Sequence, residues 1–243
     1  MRGIPLPRSL PEPLWLGRND AALKAHASYR AAKSGDAAAA ARLVIDLTMP
    51  MLRRAAAVFR PGLIAIAPHA IEATGENAIP TVLATAVAAA TGGETDPDVV
   101  QNEQVFHTGA DPMERLNARA TFDGPLRAGE HYVLVDDVTT MGGTLADLAD
   151  HVQRHDGIVA GIVVIVNAAR SGRLLPDPSV TARLERRFGD VIRELFDIDP
   201  AALTAEEAQY LIGFRSADEI RNRSVKARQT TLDRLRTRRV QRP

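Results

Sequence analysis

The chain has 243 residues, with 30 Lys and Arg against 30 Asp and Glu, so its formal charge is zero, and 45% of its residues are hydrophobic. That length and balance suit a soluble globular protein of one or two domains, with a core large enough to stand without staples. Cysteine is absent, which excludes disulfides and thiolate metal sites, and aromatic residues make up only 4%, which argues against a surface of stacked bases.

Residues 1–18 are Pro-rich and read as irregular, with Trp15 covering apolar surface. This stretch lacks an apolar leader, and the longest apolar runs, near 82–90 and 158–166, fall short of the roughly 20 residues that a membrane span needs, so a cytoplasmic protein is expected. Asn19 or Asp20 caps a predicted helix running to about Lys33, and Ser34-Gly35-Asp36 breaks it and caps the next. That second helix runs from Ala37 towards Phe59, with Leu43, Leu47, Met51 and Leu52 at helical spacing and Pro50 as a kink or boundary. After Pro61-Gly62, residues 63–67 read as a buried strand, 68–77 as a loop, and 79–90 as a helix ending at Gly92-Gly93. Residues 94–130 form a long connection in which 99–106 is a candidate strand, and connections of that length are usually functional or disordered.

Val133-Leu134-Val135 reads as the end of a buried strand, followed by the paired acids Asp136 and Asp137, then the Thr/Gly loop Thr139-Thr140-Met141-Gly142-Gly143-Thr144, then a helix to about His155. A Gly/Thr loop opening a helix offers backbone N–H groups and hydroxyls to a phosphate. The adjacent carboxylates suit the hydroxyl pair of a sugar, or a hydrated Mg²⁺. Residues 158–167 are a second apolar strand without alternation, hence buried on both faces, and they place Arg170 and Arg173 on the same sheet edge. Further on, 180–188 and 191–196 suit one helix broken at Gly189, and Thr204-Ala205-Glu206-Glu207 caps a helix to Ile212. Gly213 makes a turn and Ser216-Ala217-Asp218-Glu219 starts a last helix, which beyond Arg221 is basic with only Asp233 as an acid. Those last two helices suit either a helix-turn-helix with a basic arm or a solvated tail.

The contiguous run from Asp136 to Thr144 resembles the phosphoribosyl-pyrophosphate (PRPP) motif of type I phosphoribosyltransferases, over a region of about 60–170. The resemblance implies an α/β fold: a mainly parallel sheet with helices on both faces, to which 1–59 and 171–243 add helical segments forming a hood. It implies that Asp136 and Asp137 hold the ribose hydroxyls, and Mg²⁺ through water. Thr139, Thr140 and Thr144, with the amides of Met141, Gly142, Gly143 and Thr144, would then hold the 5′-phosphate.

Pro68, His69, Gly75 and Asn77 resemble the pyrophosphate-binding part of the ComF-like branch, although Glu76 stands where that branch has an aromatic. Arg115-Leu116-Asn117 with Phe122 resembles its Arg-x-Asn…Phe pattern, which gives Arg115 the leaving pyrophosphate, and 94–130 would supply a loop that closes over PRPP. The implied reaction is attack of a base nitrogen on C1 of PRPP with loss of pyrophosphate. Thr140 stands where some purine transferases carry a further acid, so no general base is nominated.

One feature pulls the other way, since no Lys or Arg occurs from Pro61 through Glu114. The rival expectation is a non-catalytic PRPP- or nucleotide-binding regulator, associated with nucleic acid through residues 221–243. A competence-type protein for DNA uptake is a third reading, but the N-terminal zinc-binding cysteines usual in that branch are absent. No residue pattern declares the acceptor base or the oligomeric state.

Overall fold

The computed structural model describes residues 1–67, 71–72, 75–102 and 110–240, apart from the side chains of 71, 72, 75, 76 and 235–240. In chain order it contains α1 (Ala21–Ala25), α2 (Tyr29–Lys33), α3 (Ala37–Val58), β1 (Ile64–Ile66), α4 (Ala78–Thr91), β2 (Glu94–Thr95) and α5 (Pro112–Asn117). There follow β3 (His131–Thr139), α6 (Gly143–Arg154), β4 (Ile158–Asn167), α7 (Pro178–Phe196), α8 (Ala205–Ile212) and α9 (Ala217–Val240). Two short antiparallel pairs, Ile71–Glu72 with Gly75–Glu76 and Val100–Gln101 with Phe122–Asp123, stand apart from the main sheet. Of the candidate strand 99–106, only Val100–Gln101 is one, and 103–109 lie outside the described residues.

The main sheet is parallel, in the order β2-β1-β3-β4, with helices on both faces. Side chains alternate across a strand, and β3 shows why its run of apolar residues needs no polar face. Val133 and Val135 enter the core shared with α3 and α4, whereas Tyr132 and Leu134 enter the core shared with α6. Strand β4 divides in the same way, with Val163 and Ile165 on one side and Ile162 and Val164 on the other. From β1 the chain passes through α4 to β2 on one flank, while β3 pairs with the other flank of β1 and leads through α6 to β4. Strand order thus reverses between β1 and β3, and the crevice beyond their carboxyl ends is where open parallel sheets bind ligands.

The N-terminal stretch differs from its irregular reading. Leu14 and Gly17 pair in parallel with Val163 and Val166, and the Leu14 amide donates to the Ile162 carbonyl at 2.9 Å, so residues 14–17 extend the sheet beyond β4. Pro11 and Pro13 hide this in the sequence, and the paired strand lies 149 residues further along the chain, from Leu14 to Val163. Trp15 packs against the α6 core, half-buried.

Two helices also differ from expectation, and a third, α3, spans its proline as one of the two readings of Pro50 allows. The helix expected from 19 to 33 is two short ones, broken where His26 turns extended and its Nδ1 accepts from the Ser28 amide at 3.2 Å. Pro50 lies inside α3 without ending it. A proline in a helix interior costs about 3 kcal/mol, and here burial of Leu43, Val44, Met51, Leu52 and Ala55 offsets it. Gly189 sits buried inside a continuous α7, where the Glu185–Arg193 ion pair (2.6 Å) closes over it. A Cβ at Gly189 would lie 2.8 Å from Glu185 Oε1, so the glycine makes room for that pair instead of breaking the helix. The expected caps are present at Asp36 for α3, at left-handed Gly92 for α4, and in the Thr204/Glu207 capping box of α8. Helices α5, α7, α8 and α9 share a third apolar core.

Candidate functional site

Strand β3 carries Asp136 and Asp137 at its carboxyl end, beside the crevice at the point of reversal. Successive residues face opposite sides of the sheet, and the two carboxylates accordingly meet different surroundings. Asp137 follows Val133 and Val135 toward α2 and α4 and is 5% exposed. Its Oδ2 accepts from Lys33 Nζ at 3.0 Å, on α2, and from Asn77 Nδ2 at 3.0 Å, the N-cap of α4. Asp136 is half-buried, and its Oδ1 accepts from the Asp137 amide at 2.8 Å.

The chain then turns through Thr140 and Met141 to Gly142, which is left-handed at φ 76° and opens α6. Its N-cap, Gly142, has no side chain to cap it, and a helix N-terminus of this kind presents the amides of its first turn to a ligand or water. The first helical bond from within α6 is the Ala146 amide to the Gly142 carbonyl, 3.0 Å. Thr140, Met141, Gly143 and Thr144 are half-buried around the turn, whereas Thr139 is 4% exposed and ends the strand opposite Asn167.

Behind the turn lies a buried polar network that sequence reasoning missed. Arg2, 1% exposed, pairs with Glu207 and lies 3.5 Å from Asp147, and its Nη1 donates to the Gly143 carbonyl at 3.2 Å. Burial works against the Arg2 charge, but Glu207 and Asp147 more than offset it and hold the guanidinium above its usual pKa. Burial also raises the Asp147 carboxyl, with Arg2 and Arg119 pulling the other way. Thr204 Oγ1 donates to the Met141 carbonyl at 2.5 Å and accepts from the Glu207 amide at 3.2 Å. The only sequence signal for this network was the Thr204…Glu207 capping box.

Gly142 is needed for both its backbone and its size. A Cβ there would lie 2.5 Å from Leu174 Cδ2, on a left-handed backbone that side chains rarely adopt. Gly142→Ala is therefore expected to cost about 1–3 kcal/mol, from overpacking plus strain, read as a lower midpoint in urea unfolding.

The remaining candidates are placed as follows. Asn77 joins the acid pair, since its Oδ1 caps α4 and its amide nitrogen bonds Asp137. His69 and Pro68 lie outside the described residues, and Gly75 sits in the short antiparallel pair before α4. Arg115 is on α5, where its Nε donates to the Ala110 carbonyl at 3.1 Å and burial lowers its pKa. Arg119 is committed to structure, through Asp147 and the carbonyls of Phe196 and Asp197. In the basic tail, Arg221 pairs with Glu194, Arg223 with Asp111 and Arg234 with Glu114, so these guanidiniums bind α9 to the rest of the protein.

A cleft of about 510 Å³ opens beyond Arg2, lined by Arg119, Asp147, Asp150, His151 and Arg154 among others, and none of residues 136–144 lines it. Its arginines Arg2, Arg119 and Arg154 are paired with Asp147 and Asp150. Among the described residues no group of three or more His, Asp and Glu is placed to hold a metal, and no helix is long and apolar enough to cross a membrane.

Comparison with known proteins finds two curated relatives. Protein TraN of Escherichia coli is 34% identical over 215 residues, covering 85% of this chain and 48% of that protein. An uncharacterized protein of Haemophilus influenzae is 33% identical over 129 residues, covering 52% of this chain and 29% of that protein. The chain thus spans less than half the length of either. No protein-family model matches. Among solved structures, adenine phosphoribosyltransferase from Leishmania donovani is similar at 15% identity and a TM-score of 0.38, covering 71% of this chain and 77% of that one. That from Leishmania tarentolae is similar at 12% identity and 0.36, covering 67% and 99%. None of these findings supports the ComF-like pattern.

Proposed function

We propose that the chain binds PRPP and transfers its phosphoribosyl group to or from a base, with pyrophosphate as the other product. The observation that supports this most is one of placement: two carboxylates end a central strand at the point where strand order reverses, directly beside the uncapped N-terminus of α6. In this reading the amides of residues 141–144 and the hydroxyls of Thr140 and Thr144 receive the 5′-phosphate, while Thr139, 4% exposed, closes the strand behind them. Asp136 and the remaining oxygen of Asp137 accept from the ribose hydroxyls.

Mg²⁺ fits as a hydrated ion carried by the diphosphate, because it keeps several waters and takes one or two carboxylates from the protein. Asp136 would hold it through water, and bound Mg²⁺ would neutralise charge on the departing pyrophosphate. Lys33 adds a cation that the span 61–114 lacks, and it brings the N-terminal helices into the site. Asn77 fixes Asp137 and ties α4 to it, which makes Asn77 a support for the ribose acids as well as a pyrophosphate candidate.

Isothermal titration with PRPP and Mg²⁺ tests the binding. Pyrophosphate release across a panel of purine and pyrimidine bases tests the transfer. The expected result is saturable PRPP binding with release in the presence of one base class. Binding without release across the panel would favour the regulator reading, which the scarcity of cations in 61–114 supports. The nucleic-acid arm has less support, since Arg221, Arg223, Arg228 and Arg234 bind within the protein.

A further inference from the structure

We propose that Thr204, Glu207 and Arg2 are positioning residues for the phosphate-binding turn, so that the C-terminal helices form a working part of the ligand site. This rests on the reading of the turn at 140–145 as a phosphate receptor. A peptide unit is planar, and the carbonyl of one residue points opposite to the N–H of the next. Thr204 holds the Met141 carbonyl, which directs the Gly142 N–H away from α8. Arg2 holds the Gly143 carbonyl, which directs the Thr144 N–H away from Arg2. Two amides are thereby aimed to the side that the α6 N-terminus leaves open.

The donor direction at Thr204 is fixed by its own bonding. A hydroxyl has a single proton, and because Thr204 Oγ1 accepts from the Glu207 amide, that proton is left for Met141. Glu207 in turn accepts from the Thr204 amide at 2.9 Å and pairs with Arg2, which closes the ring of contacts. Packing reinforces it: a Cβ on Gly143 would lie 2.8 Å from Glu207 Oε1, and the Met141 side chain packs into the core of α5, α7 and α8. A Gly-Gly turn has more conformational freedom to lose than any other, so an external brace preorganises the amides before the ligand arrives.

The test compares Thr204→Val, Thr204→Ser and wild type by titration with ribose 5-phosphate and, separately, with Mg²⁺-pyrophosphate, which lacks the 5′-phosphate. Thr204→Val is expected to weaken ribose 5-phosphate about ten-fold and pyrophosphate little, whereas Thr204→Ser stays within about two-fold of wild type for both. A Thr204→Val protein that melts earlier but binds ribose 5-phosphate as wild type does shows a purely structural brace and overturns the proposal. If wild type binds pyrophosphate but not ribose 5-phosphate, the phosphate reading of the turn itself is lost, and the brace with it. Hydrogen exchange on wild type covers a variant that does not fold: ribose 5-phosphate is expected to slow the amides of 204–208 along with those of 141–145. Slowing confined to 141–145 counts against the inference.

Discussion

Arg2→Met is expected to destabilise the protein by about 3–5 kcal/mol, the usual cost of removing one partner from a buried ion pair. At about 2–4 °C per kcal/mol for a chain of this size, the thermal midpoint should fall by roughly 6–20 °C, measured by circular dichroism. The size of the effect follows from what is left behind. Glu207 is 3% exposed and Asp147 6%, and neither gains water when the guanidinium goes. Asp147 keeps Arg119, whereas Glu207, among the described residues, keeps the bond from the Thr204 amide. The double variant Arg2→Met, Glu207→Gln removes the stranded charge and should recover part of the loss. A midpoint unchanged by Arg2→Met would mean that the N-terminal residues are not seated behind the turn.

Asp136→Asn and Asp137→Asn should each raise the dissociation constant for PRPP about 10- to 150-fold, since a hydrogen bond to a charged group is worth about 1.5–3 kcal/mol. Asp136→Asn separates binding from stability, because this side chain is half-buried and the asparagine oxygen can still accept from the Asp137 amide that bonds the carboxylate. Its thermal midpoint should stay within about 2 °C of wild type, as for other substitutions outside the core. Asp137→Asn also removes the negative charge that Lys33 pairs with, and the Lys33 side chain, 22% exposed, has access to water. A modest loss of stability is therefore expected there. Titration calorimetry decides the matter, and wild-type affinity in both variants would remove the basis for a ribose site at this strand end.

The parts of this protein that can be read from sequence are those in which the signal and the structure lie on the same stretch of chain. Val133 to Thr144 declares its strand, acids, turn and helix in order, and Asp36, Gly92 and Thr204 cap the helices beside them. What escapes is decided at a distance. Lys33 meets Asp137 across 104 residues and Arg2 meets Glu207 across 205, and nothing near either residue announces the partner. Residues 14–17 have no strand alternation of their own and become sheet because β4 offers them an open edge. Gly189 misleads for the opposite reason, and Pro50 leaves kink and boundary equally open. Local propensity is a weak prior, and the burial of α3 and α7 outweighs it. The scarcity of cations in 61–114 likewise reads differently once α2 is seen to deliver Lys33 from outside that span.

The ring joining Arg2, Gly143 and Glu207 has a consequence for how the protein comes into being. During synthesis the strands and α6 leave the ribosome long before residue 207 does, so the early chain can collapse into its sheet while the turn still lacks its clamp. Contacts of such wide sequence separation are also the slowest to find, because a large loop must close first. Under the phosphate reading proposed for the turn, competence to grip a ligand is a late event in the life of each molecule, and products that stop short of α8 are expected to fold in part without binding ribose 5-phosphate.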